Sequence, residues 1–252
     1  MAFLVFAIFS FVWYYPAYKK QGSVDRLPGK AYRRAILFGI FPATILLLSA
    51  QLLLTYVRKL LPLGTVAHNL WEAFLSAAAV EEGVKFLFAW LVIRKFEPKR
   101  KIDYALIFAA VGMGYQIAES LMMMDGVVTA LIRGIFAYHV LWQYWMGLYF
   151  FDYRQAKARG DEGAARKALL LSVGVPFLLH GLNDFIAFMN GAAVEGGNET
   201  EIGAWVFAFL LFVIASIVYL VITMKKVFRA AKESRELVAE EAAPEEDVPE
   251  AL

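Results

Sequence analysis

Residues 70–93 read LWEAFLSAAAVEEGVKFLFAWLVI. The stretch is long enough to cross a hydrocarbon core of about 30 Å, which takes about 20 mostly apolar residues. Glu81, Glu82 and Lys85 nevertheless stand at its centre. Outward from it, six further apolar stretches recur, giving expected spans at about 2–18, 35–57, 70–93, 103–123, 127–150, 168–190 and 202–224. The 252-residue chain is 60% hydrophobic and only 19% charged, with a mean hydropathy of +0.57. Soluble domains carry about 25% charged residues. The expected fold is therefore all-α, a polytopic transmembrane helix bundle of about seven spans. That excludes a disordered chain, a nucleic-acid reader and a secreted disulfide scaffold. Without cysteine, disulfides, a thiolate nucleophile and Cys-ligated metal are excluded as well.

Charge sets the expected orientation. Lys19, Lys20, Arg26, Lys30, Arg33 and Arg34 follow the first span, Arg94, Lys95, Lys99, Arg100 and Lys101 the third. Arg154, Lys157, Arg159, Arg166 and Lys167 follow the fifth, and Lys225, Lys226 and Arg229 the last. The alternate loops are poor in bases: Arg58 and Lys59 in one, Arg133 near another, and Glu195, Glu199 and Glu201 in the third. By the positive-inside rule the N-terminus lies outside and the C-terminus in the cytoplasm, with the chain integral to the cell membrane. Residues 1–232 form the membrane-embedded helical domain. Residues 233–252 hold eight carboxylates against Arg235, a charge of −7, and are expected to be a disordered, solvated tail.

Five charged side chains interrupt the spans: Glu81, Glu82, Lys85, Glu119 and Asp184, joined by His139 and His180. At about 2.5–3.5 kcal/mol each near a span centre, the five would cost about 12–17 kcal/mol unpaired. They must face one another, water or a bound ion. Four helices deliver them to similar depths. Glu81, Glu82, His139 and His180 fall at or within a residue of the midpoints of three expected spans. Glu119, on a fourth, and Asp184 lie six and five residues towards the outer side. Lys85 stands at i+4 from Glu81 and i+3 from Glu82, so it can pair with either carboxylate. The two glutamates diverge by about 100° around the helix, so one points into the site and the other supports it. His180 and Asp184 share a face, as do His139, Trp142 and Gln143. Gly112-Met113-Gly114 reads as small residues that let helices approach closely.

Two carboxylates and two imidazoles around one point suit water activation, with a carboxylate as general base and polarising groups for an oxyanion. The same groups are acceptable zinc ligands, although no HExxH is present. No cofactor is required in the preferred reading, and zinc stays open. A proton-coupled or small-solute carrier also places acids and histidines at midplane, and a zinc-dependent membrane hydrolase is a further alternative. The partners expected are the bilayer and a membrane-anchored protein or peptide, with no nucleic acid.

Four segments resemble the PrsW family of intramembrane proteases. Val80-Glu81-Glu82-Gly83-Val84-Lys85-Phe86 is similar to its EExxK segment. Gly114-Tyr115-Gln116-Ile117-Ala118-Glu119-Ser120 is similar to its second, with Ser120 where the family usually has Asn. Arg133 through His139, then Met146-Gly147-Leu148-Tyr149, resembles the third, and Leu179-His180-Gly181-Leu182-Asn183-Asp184-Phe185 the fourth. They run in order over about 70–190, in a wider group with the CAAX prenyl endopeptidases and bacteriocin-processing proteins. The resemblance implies hydrolysis of a peptide bond in a membrane-anchored substrate such as an anti-sigma factor. It implies a catalytic set of Glu81 as base, Glu82, His139 and His180, supported by Lys85, Glu119, Asp184 and Arg133. A glutamate-type mechanism is implied by the wider group, and a metal by some of its members.

Overall fold

The computed structural model describes residues 2–22, 25–122 and 136–241. Among them every regular element is helical, in seven continuous rods. They are α1 (Ala2–Lys20), α2 (Gly29–Lys59), α3 (residues 65–96), α4 (Lys101–Met122), α5 (Tyr138–Ala158), α6 (Glu162–Glu195) and α7 (Glu199–Glu241). Two of the rods change winding: Gly39–Ala43 in α2 and Trp71–Ala79 in α3 are π-helical. Pro42, which has no N–H to give, lies inside the first.

Local chemistry marks the ends. α3 stops where Glu97 turns left-handed at φ 46°, ahead of Pro98. Asp161 caps α6 by accepting from Ala164 N–H at 2.9 Å. Asn198 caps α7 by accepting from Glu201 N–H at 3.2 Å, while its amide donates to the Glu201 carboxylate at 2.8 Å. At the α1–α2 and α3–α4 turns, Arg100 makes two hydrogen bonds to Asp103 and two more to Gln21, and Tyr32 donates to Asp103. This buried clasp ties α1, α2 and α4 together at one end of the bundle.

α4 is the central rod; every side chain from Ile102 to Val111 is buried. It packs most extensively on α5, which in turn carries α6, while α1 and α2 cover its other flanks. The glycines set those approaches, as the sequence led one to expect. A Cβ at Gly114 would strike the Ile36 carbonyl of α2, and one at Gly112 the His139 carbonyl of α5.

Among the described residues, three helices are both long and apolar enough to cross a membrane: Gly29–Lys59, Glu162–Glu195 and Glu199–Glu236. Of the seven expected spans, those at 35–57, 168–190 and 202–224 lie within them. α3, α4 and α5 carry Glu81, Glu82, Lys85, Gln116, Glu119, His139 and Gln143 on buried faces, which lowers their hydropathy. Leu52 and Leu170 are each 72% exposed and Ile45 66%, a surface that suits lipid rather than water. α7 continues beyond Lys232 as far as Glu241, with Ser234 buried.

Candidate active site

Three helices bring carboxylates and imidazoles to one buried point. α3 presents Glu81, Glu82 and Lys85 just beyond its π-helical stretch; α5 presents His139 and Gln143; α6 presents His180. α4 adds Glu119 from near its C-terminal end. His139 stands in the first turn of α5, after Ala137 at φ 39°, rather than in the middle of a helix as expected. The close α4–α5 approach at Gly112 brings it to Glu119, two turns further along α4. Arg133 lies outside the described residues.

Lys85, with 0% of its surface exposed, is the hub. Its ammonium lies 2.7 Å from Glu82 Oε1, 3.5 Å from Glu81 Oε2 and 2.8 Å from His139 Nδ1. An ammonium only donates, so His139 Nδ1 accepts. The proton then sits on Nε2, which donates to Glu119 Oε2 at 2.9 Å. His180 Nδ1 donates to Glu82 Oε1 at 2.9 Å, and Gln143 Nε2 donates to Glu82 Oε2 at 2.7 Å. Both oxygens of Glu82 are thus occupied by protein donors.

Glu81 is placed differently. Its Oε2 lies 3.7 Å from His180 Nε2, and its Oε1 accepts a long 3.5 Å hydrogen bond from Gln51 of α2. Asp184 Oδ2 lies 3.3 Å from the same His180 nitrogen, and Asn183 donates to the other Asp184 oxygen. Aromatic rings fix the imidazoles: Trp142 stacks on His180 with centroids 4.8 Å apart, and Tyr115 meets His139 edge-on at 4.9 Å. The Lys85 ammonium lies 4.5 Å from the centre of the Tyr115 ring. Sequence reading had not singled out Tyr115 or Gln51. The position of Tyr115, four residues before Glu119, was the available signal for one; Gln51 in an otherwise apolar stretch was the signal for the other.

A family model described as PrsW family intramembrane metalloprotease matches residues 28–220. The chain belongs to the PrsW family. Protease PrsW of Geobacillus kaustophilus is 34% identical over 158 residues, 61% of this chain and 65% of that protein. Protease PrsW of Clostridioides difficile is 31% identical over 161 residues, 60% of this chain and 64% of the relative. That of Oceanobacillus iheyensis is 28% identical over 149 residues, 57% and 64%. Each match takes in less than two thirds of the relative. No solved structure matches.

The donor set of this PrsW-family chain fits a metal ion. One ligand atom each from Glu81, His139 and His180 lie within 4.8 Å of one another, a carboxylate-and-two-imidazole set that zinc accepts. Each imidazole also turns its other nitrogen to a carboxylate, Glu119 or Glu82, the usual backing of a ligating histidine. The Lys85 hydrogen bond to His139 Nδ1 would have to be released if that nitrogen were to ligate.

Proposed function

We propose that this chain is a membrane endopeptidase that hydrolyses a peptide bond of a membrane-anchored protein, an anti-sigma-factor-like substrate, with Glu81 as general base. The observation that carries the reading is the contrast within the glutamate pair. Both oxygens of Glu82 are held at 2.7–2.9 Å by Lys85, His180 and Gln143, whereas Lys85, Gln51 and His180 reach Glu81 only at 3.5–3.7 Å, with the Tyr115 hydroxyl as a further partner. In this scheme Glu81 takes a proton from water, and the water oxygen bonds to the scissile carbonyl carbon. His180, as an imidazolium held by Glu82 and Asp184, donates from Nε2 to the oxyanion, and His139, held between Lys85 and Glu119, is the partner in water activation. The C–N bond then breaks as Glu81 returns the proton to the leaving amine. Family membership supports peptide hydrolysis.

The bundle would cross the cell membrane about seven times, N-terminus outside and C-terminus cytoplasmic. The test is purified protein in liposomes with a panel of single-span peptides. Two fragments in stoichiometric yield are expected; proton-coupled solute uptake without cleavage would instead establish a carrier.

A second reading keeps the same residues around a metal. The observation that favours it is the donor set itself, in which one ligand atom each of Glu81, His139 and His180 lies within 4.8 Å of the others. Glu81, His139 and His180 would hold it, and it would supply Lewis-acid polarisation and a more acidic bound water. Stoichiometric zinc whose removal abolishes cleavage would establish this reading over the metal-free one.

A further inference from the structure

We propose that the groove between the start of α2 and the end of α3 is a binding site for an anionic phospholipid. Lys30, Arg33 and Arg34 stand at i, i+3 and i+4 on α2, so they share one face. Lys95 reaches the same groove from α3, with Leu37, Phe38 and Phe96 as its apolar walls and a volume of about 560 Å³. That lies within the range of small-molecule sites, about 300–1,000 Å³.

Two observations select the ligand. The first is uncompensated charge. Lys101, Arg100 and Lys157 are paired with Asp152, Asp103 and Glu162, whereas this groove gathers four cations. Among the described residues no carboxylate pairs with any of the four groove cations. Arg34 instead lies 4.9 Å from the centre of the Phe38 ring. The second is what adjoins the cations. On α2, Leu37, Phe41 and Ile45 are 51%, 59% and 66% exposed; on α3, Leu91 and Leu87 are 37% and 39% exposed. Each set continues along its helix from the cations in steps of four residues. An anionic head with acyl chains complements both parts, whereas a soluble anion would leave the apolar tracks uncovered. The groove lies at the base-rich end, facing the anionic cytoplasmic leaflet in the orientation proposed above.

The test is native mass spectrometry of the full chain in detergent with equimolar phosphatidylglycerol and phosphatidylcholine. It needs no peptidase assay, so its failure is separate from failure of the proposed reaction. Wild type should retain phosphatidylglycerol preferentially. Combined Lys30→Gln, Arg33→Gln, Arg34→Gln and Lys95→Gln should lower that preference at least tenfold. A control with equal charge loss at exposed sites, Lys99→Gln, Arg159→Gln, Arg166→Gln and Lys167→Gln, should stay within twofold. Should the fourfold variant fold poorly, Arg33→Gln with Lys95→Gln serves, with a loss of at least threefold expected. Equal losses in groove and control variants would reduce the effect to diffuse positive charge and overturn the site. Displacement of the lipid by glycerol phosphate at equal concentration, with Leu37→Gln and Leu91→Gln having no effect, would make the ligand a soluble anion and also overturn it.

Discussion

Glu82 Oε1 accepts from Lys85 and His180, and Oε2 accepts from Gln143, all at 2.7–2.9 Å. A carboxylate so placed holds three helices in register and has little capacity left for a water proton. Glu82→Gln turns one acceptor oxygen into an NH₂ facing buried donors, and breaking a buried charge pair costs about 3–5 kcal/mol. Its main effect should be a lowered thermal midpoint, checked by unfolding in a fixed detergent; an unchanged midpoint would remove the supporting role. Much of this was legible in the sequence. Buried charges must pair, and the i+3 and i+4 spacings allowed Lys85 to reach both glutamates, as it does at 2.7 and 3.5 Å. Spacing did not say which glutamate would be saturated. That depends on Gln143 and His180, which come from other helices.

At the scale of elements, close backbone approach rather than side-chain volume positions the site. Gly114 meets the Ile36 carbonyl, and Gly112 the carbonyl of His139 itself. Gly114→Ala should force α2 away from α4 and cost about 1–3 kcal/mol, as overpacking does. Gly83 lies in the same functional stretch as Glu82, but a Cβ there meets nothing within 4 Å. Gly83→Ala should therefore be neutral or stabilising by about 0.5–1 kcal/mol. Thermal midpoints of the two variants check the contrast, and equal losses would contradict it. The sequence showed the glycine pair, but not the π-helical stretches or the start of α5 at Tyr138. A wider helical turn leaves no mark in hydrophobic periodicity. Gly126 and Gly134, inside the expected span at 127–150 or beside it, read equally as packing glycines or as interruptions.

At the scale of the whole molecule, the exposed apolar surface and the base-rich loops act together to set the chain in a bilayer. Because the chain has no cysteine, single introduced cysteines report orientation cleanly. Labelling by an impermeant reagent in intact cells is expected at 195–201 and not at 19–34; the reverse pattern would invert the topology. Arg235 packs against Gly22, and Ser234 is buried, so the acidic segment starts as part of the bundle. Truncation after Glu241 should leave the thermal midpoint and cleavage within about twofold of the full chain. A tenfold loss of cleavage in a folded truncation would make the last residues a working part. Composition identified the segment's charge, but packing of its first turn rests on a tertiary contact that composition does not encode.

The central claim is that Glu81 is the base, and it is tested most directly by the cleavage rate of Glu81→Gln on a membrane-peptide substrate at matched thermal stability. The amide keeps the shape but cannot take the proton from water, and general-base help is worth about 10²–10⁴-fold. A folded variant at least 100-fold slower is the result the account predicts. A folded variant cleaving within about threefold of wild type would contradict it and pass the role to Glu119, the carboxylate on His139.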